Sequence, residues 1–134
     1  MATKIFLGVS VAIWLPYGLF CFFQPGYLHE AAGLILGSTT AATEVRAMYG
    51  GLQAGIGCLA LAGLLRRDLA KSALLALAFL TGGLVVARIT GALFAGDGSS
   101  YTVGAIIFEA TSVVCASLLY RSASRLSSAE SVAA

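Results

Sequence analysis

The chain contains four long apolar runs, separated by short polar or glycine-rich stretches. The runs cover about residues 5–23, 44–65, 72–94 and 102–119. A hydrocarbon core about 30 Å thick needs roughly 20 helical residues to cross it, so each run is long enough to span a bilayer. The sequence therefore predicts an all-α integral membrane protein, a four-helix bundle formed by a single domain over residues 1–121.

Composition argues against a soluble protein. Of the 134 residues, 59% are hydrophobic and only 10% are charged, and the mean hydropathy is +0.93. A small soluble domain has too much surface for its volume to hide that many apolar side chains. The net charge of +2 is small, and the basic residues are not gathered on one helix, so nucleic acid is not an expected partner. Membrane lipids are the expected partners.

Two segments lie outside the predicted spans. Residues 27–40 include a short apolar stretch, 31–36, that cannot cross a bilayer and is expected to lie in the interface or on the end of the bundle. Residues 122–134 are rich in Ser and Ala and have few large apolar residues, which predicts a flexible cytoplasmic tail.

The basic residues predict the orientation. If four helices alternate in direction, six of the eight basic residues fall on one side of the membrane. The opposite loops carry His29, Glu30 and Asp97 instead. By the positive-inside rule, both termini face the cytoplasm. The six residues are Lys4, Arg66, Arg67, Lys71, Arg121 and Arg125.

Ionisable residues also lie within the spans. Glu44 and Arg46 open the second run, Arg88 is inside the third and Glu109 is inside the fourth. Each such group costs about 2.5–3.5 kcal/mol on insertion scales, so these residues are usually paired or functional. At 1.5 Å per residue, Arg88 and Glu109 both fall roughly 10 Å from the outer ends of their runs, which puts them at one level.

Helical spacing suggests that these side chains converge. Arg46, Tyr49 and Gln53 recur at i, i+3 and i+7, which is one face of the second helix. We expect a polar cluster in the outer leaflet that either fixes the register of the helices or binds a ligand or ion. Its predicted members are Glu44, Arg46, Tyr49, Gln53, Arg88 and Glu109.

Small residues predict close helix packing. Gly51 and Gly55 form one small-x-x-x-small pair, and Gly83, Ala87 and Gly91 continue the same pattern on the third helix. Such surfaces let two backbones approach each other in a membrane. The simplest expectation is that they pack the second helix on the third, and dimerisation is the alternative.

No catalytic or metal-binding pattern is present in the sequence. Cys21, Cys58 and Cys115 fall in apolar runs without metal-ligand spacing, and His29 is the only histidine. No serine has a plausible base beside it. We therefore expect no cofactor and no metal, and an enzyme is the least favoured function.

The segment from Thr43 to Gly55, T-E-V-R-A-M-Y-G-G-L-Q-A-G, resembles the signature of a bacterial family of small four-helix membrane proteins. That family is catalogued as a domain of unknown function. The resemblance extends through the regions of Arg88 and Glu109, and it implies the same four-helix topology without implying an activity. The size and layout also resemble, in architecture, the DoxX-like proteins and a scaffold family of sterol biosynthesis.

Two functional hypotheses follow. The first is a non-catalytic accessory subunit or scaffold in the bacterial cytoplasmic (inner) membrane, which binds other membrane subunits or copies of itself through its helix faces. The second is a binder or transporter of a small molecule, lipid or ion that uses the outer polar cluster.

Overall fold

The computed structural model describes residues 1–133 of the chain, with side chains through residue 125. Within that part the protein is all-helical, and four helices are long and apolar enough to cross a membrane. The long helices are α1 (Ala2–Phe23), α3 (Thr39–Leu65), α4 (Arg67–Ala95) and α5 (Ser100–Ala133), and a short helix α2 (Tyr27–Ala32) follows α1. The predicted fold class is confirmed, and the chain is a multi-pass membrane protein.

Each helix begins earlier or ends later than its predicted apolar run, because polar residues at the interface can continue a helix. The largest difference is at the C-terminus, where α5 continues through Ala133. The segment predicted to be a flexible tail, residues 122–134, thus has a helical backbone over residues 122–133, and Ala134 lies outside the described residues. Alanine is the best helix former, and the hydroxyls of Ser122 and Ser124 donate to carbonyls one turn earlier, at 3.0 Å each.

The bundle consists of two helix pairs, α1 with α3 and α4 with α5, which meet mainly where α3 packs on α4. The seam between α1 and α5 is in contact only sparsely. Many large side chains face outwards, such as Phe79 at 75% and Phe94 at 89% exposure. Apolar side chains that face away from the protein are what hydrocarbon surroundings favour.

Glycine lets α1 and α3 approach closely. A Cβ atom added at Gly18 would lie 2.3 Å from the backbone nitrogen of Ala54, and one at Gly57 would lie 2.6 Å from the backbone nitrogen of Leu15. One at Gly50 would lie 2.8 Å from the Cβ of Phe22. Only a residue without a side chain fits at these three positions, so they set the distance between the two helices.

The packing glycines predicted from the sequence are different ones. Added Cβ atoms at Gly55, Gly83 and Gly91 would meet nothing within 4 Å. An added Cβ at Gly51 would meet only a carbonyl of its own helix, at 3.8 Å. Ala87 is exposed. The expectation that these residues pack the second helix on the third is wrong. Among the glycines, Gly63 is the one that brings α3 close to α4, since an added Cβ there would lie 2.6 Å from the Cβ of Ala73.

The interior is filled differently in its two halves. Near the α3–α4 turn, a dense apolar core is built from all four long helices. At the other end, α2 and the following loop fold over the bundle, so that Leu28, Leu34 and Leu36 pack on Cys21 and Val45. The short apolar stretch 31–36 thus contributes to a cover over the bundle's end. The core residues are Leu7, Trp14, Ile56, Ala60, Ala73, Leu74, Leu77 and Ala116.

We expect Gly18→Ala and Gly57→Ala each to lower the free energy of unfolding, because the new methyl group collides with the backbone of the partner helix. Overpacking of this kind typically costs about 1–3 kcal/mol. The measurement is unfolding in detergent micelles by titration with sodium dodecyl sulfate, followed by circular dichroism. Gly55→Ala, on the same helix as Gly57, is the matched control and should be neutral; equal losses from Gly55→Ala and Gly57→Ala would contradict the packing described above.

Candidate functional site

An ion pair joins α4 and α5 inside the bundle. Arg88 Nη2 lies 2.7 Å from Glu109 Oε1, and Arg88 Nε lies 3.1 and 3.0 Å from Oε1 and Oε2 of the same carboxylate. The Glu109 side chain is only 4% exposed and that of Arg88 is 26% exposed. Two opposite charges that share several hydrogen bonds form the arrangement in which a buried carboxylate is best tolerated.

The pair leaves part of the guanidinium unused. All of its bonds to Glu109 come from Nε and Nη2. Across residues 1–125, no acceptor is hydrogen-bonded to Nη1 of Arg88. Because an arginine carries five N–H donors, Arg88 keeps donors for another molecule.

A cavity of about 390 Å³ lies beside this pair, between the two helix pairs. We call it the polar cavity. All four long helices contribute to its wall, which combines aromatic rings with a few polar groups. Its lining comprises Ile13, Trp14 and Tyr17 from α1, Tyr49 and Gln53 from α3, Leu84 and Arg88 from α4, and Ser100, Tyr101, Gly104, Ala105, Phe108 and Glu109 from α5.

Gln53 is the least satisfied group in this wall. Its Oε1 atom is buried and has no hydrogen-bond partner. A buried acceptor without a partner loses its hydration without compensation, at a cost of about 1–3 kcal/mol. Gln53 lines both the polar cavity and a second space of about 560 Å³ between α3 and α4.

The loop from Gly96 to Ser99 leads into the part of α5 that lines the cavity. Gly96 ends α4 with a positive φ of 64°, which suits glycine. The carboxylate of Asp97 accepts from the Thr102 hydroxyl at 2.6 Å and from the Ser99 N–H at 2.9 Å. These bonds, led by that of Thr102, hold the pKa of Asp97 below its usual value of 3.8. They also fix the start of α5, and with it Tyr101 in the cavity wall.

The structure brings four of the six predicted cluster residues to the cavity: Tyr49, Gln53, Arg88 and Glu109. It does not bring Glu44 or Arg46 there. Glu44 is exposed, and Arg46 Nε donates at 3.2 Å to the carbonyl of Phe22, which lies in the last turn of α1. The last carbonyls of a helix have no partner within it, so Arg46 ties the end of α1 to α3.

A local change of helix type explains this correction. Residues Arg46–Gly51 form a π-helical turn, in which the N–H of Leu52 bonds to the carbonyl of Ala47. A π turn holds more residues than an α turn, so side chains before it do not keep the spacing of those after it. The i, i+3, i+7 spacing would put Arg46 on the face of Tyr49 and Gln53 only in a regular α-helix, and the π turn moves Arg46 off that face.

The aromatic part of the wall was not among the predicted site residues. Trp14, Tyr17, Tyr101 and Phe108 all line the cavity, and the rings of Trp14 and Phe108 are 5.7 Å apart. The spacing of Trp14 and Tyr17, at i and i+3, was the available signal that one face of α1 is aromatic. Among the residues whose side chains are described, no group of His, Cys, Asp and Glu could hold a metal ion.

Removing one partner of the buried pair should destabilise the protein. We expect Arg88→Leu and Glu109→Leu each to lower the free energy of unfolding by about 3 kcal/mol, because each leaves a charge without a counterpart. The double variant should be closer to the wild type than either single variant. The measurement is a double-mutant cycle from unfolding in detergent micelles.

The control for this cycle is the exposed pair of Arg66 and Asp68, 2.6 Å apart with side chains 65% and 61% exposed. Asp68→Leu should change stability by less than about 1 kcal/mol, since exposed pairs contribute little. Additive effects of Arg88→Leu and Glu109→Leu would show that the pair does not act as a unit.

The comparison with known protein families gives one match. The family model described as a domain of unknown function, DUF4345, matches residues 2–120. Neither the curated proteins nor the solved structures gave a match. Since the matched region covers most of the chain, the chain belongs to this family.

Proposed function

We propose that this member of the DUF4345 family is a non-catalytic membrane protein that binds a small, uncharged and largely apolar molecule in the polar cavity. The observation that carries the proposal is the buried, unpartnered Oε1 atom of Gln53 in the cavity wall. A buried acceptor that no donor of the protein reaches, in the same wall as a guanidinium with unused donors, can bind a polar group of a ligand.

The electrostatics favour an uncharged ligand. Arg88 and Glu109 already neutralise each other, so a charged ligand would leave a net charge in surroundings of low polarity, which is costly. The ligand needs a donor for Gln53 and an acceptor for Arg88, and a hydroxyl or amide group supplies both. The aromatic rings of Trp14 and Phe108 suit an apolar body.

The test uses 4-bromobenzyl alcohol, whose bromine quenches tryptophan fluorescence at short range. Trp14 is the only tryptophan in the chain and lines the cavity, so its emission reports occupancy. We expect saturable quenching that weakens about three- to tenfold in Gln53→Leu, since a net hydrogen bond contributes about 0.5–1.5 kcal/mol. Gly104→Leu, which fills the cavity at a position where an added Cβ meets nothing within 4 Å, should abolish it.

Two controls accompany this measurement. Gln24→Leu removes an exposed amide outside the cavity, and Gly8→Leu adds the same side chain at another open position. Both should bind like the wild type. The proposal fails if quenching rises linearly with the probe in every variant, or if 4-bromobenzoate binds more tightly than the alcohol.

We further propose that the protein lies in the bacterial cytoplasmic membrane with both termini in the cytoplasm. The support is the separation of the basic residues from the loops at the other end, together with the positive-inside rule; the bacterial assignment rests on the resemblance of the Thr43–Gly55 segment. In this orientation the polar cavity faces the outer leaflet.

Cysteine labelling tests the orientation. In a chain with Cys21, Cys58 and Cys115 replaced by alanine, Gly98→Cys should react with a membrane-impermeant maleimide in intact cells. Asp68→Cys, in the α3–α4 turn, should react only after lysis. Both positions are exposed, so a difference in reactivity reports the side of the membrane. The reverse pattern would invert the topology.

An accessory role in a membrane complex remains a second candidate. The observation in its favour is that the small-residue face of α4, with Gly83, Ala87 and Gly91, has no partner within the described chain. A helix of another subunit, or of a second copy, would fit such a face. Purification of the tagged protein in a mild detergent tests this role, and a monomer without a co-purifying subunit would count against it.

A further inference from the structure

An apolar groove runs along the sparse seam between α1 and α5. It has a volume of about 590 Å³ and extends from Ala2 and Leu119 at one end to Ile13 and Phe108 at the other. At 1.5 Å per residue, that is roughly 16 Å along either helix. Its wall is only partly covered by protein, since Ile5 is 57% and Val9 is 51% exposed.

The groove is apolar although two of its lining residues carry hydroxyl groups. Thr111 and Ser112 are the hydroxyl-bearing residues in its wall. The Thr111 hydroxyl donates to the carbonyl of Ile107 at 2.8 Å, and that of Ser112 donates to the carbonyl of Phe108 at 2.9 Å. Both protons are used within α5, so the groove offers a ligand no free hydroxyl proton and suits a hydrocarbon chain.

The groove and the polar cavity share part of their wall, which we call the junction. Ile13 and Phe108 line both spaces there, and the ring of Trp14, in the cavity wall, lies 5.7 Å from that of Phe108. Beyond the junction the wall changes from apolar side chains to Gln53, Arg88 and Glu109. A ligand that occupied both spaces would have its polar end at the ion pair and its apolar end along the α1–α5 seam.

We infer that the ligand is a single-chain amphiphile with an uncharged, hydroxyl-bearing head: the head occupies the polar cavity and the chain lies in the groove between α1 and α5. This inference rests on the function proposed above and adds the class of ligand. The groove is a single channel along one seam, so we assign one chain to it, and the second chain of an ordinary phospholipid would lie outside the groove.

Two properties of the site set the head group. The hydroxyl donates to Gln53 Oε1 and accepts from the unused N–H groups of Arg88, so a monoacylglycerol head matches both. A fatty acid carboxylate would instead compete with Glu109 for Arg88 and add an uncompensated charge.

The experiment titrates the protein, in detergent micelles, with monoacylglycerols brominated either near the head or near the chain end. Because Trp14 lies in the cavity wall beside the junction, we expect saturable quenching from the proximal bromines and much weaker quenching from the distal ones. Unbrominated monoacylglycerol should reverse it. The corresponding fatty acid and brominated phosphatidylcholine should bind at least about tenfold more weakly.

Variants separate the chain from the head. Val9→Phe, at an exposed position of the groove wall, should weaken long-chain monoacylglycerol about tenfold and leave 4-bromobenzyl alcohol unchanged. Val114→Phe is the matched control, since Val114 is 56% exposed on α5 outside the groove wall. Ser112→Phe fills the groove from the other helix and should repeat the effect of Val9→Phe.

The outcomes are distinguishable. If the aromatic alcohol binds but Val9→Phe and Ser112→Phe leave the long-chain affinity unchanged, the chain does not lie in the groove and only the further inference fails. If the fatty acid or phosphatidylcholine quenches as well as the monoacylglycerol, the assigned ligand class is wrong. If neither probe quenches saturably, the proposed function fails, and the further inference fails with it.

Discussion

The intolerance of hydrocarbon for an unpaired charge determines the arrangement of this bundle. Glu109 is almost fully buried, and a carboxylate in that position requires the guanidinium of Arg88 from the neighbouring helix. The bonds between them fix the level of α4 against α5, because a shift of one turn would move the two groups about 5.4 Å apart. The same pair keeps the interior electrically neutral, and that neutrality decides which molecules the adjoining cavity can hold.

Packing elsewhere is uneven, and the unevenness creates the space. Gly18, Gly50 and Gly57 bring α1 and α3 into backbone contact, and the ion pair joins α4 to α5. Within the described residues, neither close backbone contacts nor an ion pair joins α1 to α5. The seam between these two helices is the sparse side of the bundle. In a soluble protein, water would make such a seam unfavourable, whereas in a membrane the surrounding hydrocarbon chains can fill it.

Much of the architecture could be predicted from the sequence, because the requirements of a bilayer are nearly independent of detail. The lengths of the apolar runs predicted the four long helices. The alternating direction of these helices predicted that Arg88 and Glu109 lie at the same depth in the membrane. Predictions that relied on the angular position of side chains were less successful. Arg46 was placed by regular α-helical spacing, which the π-helical turn at Arg46–Gly51 interrupts. The spacing of Gly51 and Gly55 marks a small-residue face but does not indicate which helix packs on it. The aromatic wall was missed because, on a largely apolar helix, the i, i+3 spacing of Trp14 and Tyr17 is the only mark of the inward face.

That turn also affects how the family can vary in length. A π turn arises when one extra residue is accommodated in an α-helix, so losing a residue between Arg46 and Gly51 would restore a regular helix without breaking it. Every side chain on the N-terminal side would then rotate by about 100° relative to Tyr49 and Gln53. The hydrogen bond from Arg46 to the end of α1 would be lost. The guanidinium of Arg46 would then lie at a different distance from the Arg88–Glu109 pair. Homologues that differ by one residue here should therefore also differ in the residue that closes the end of α1.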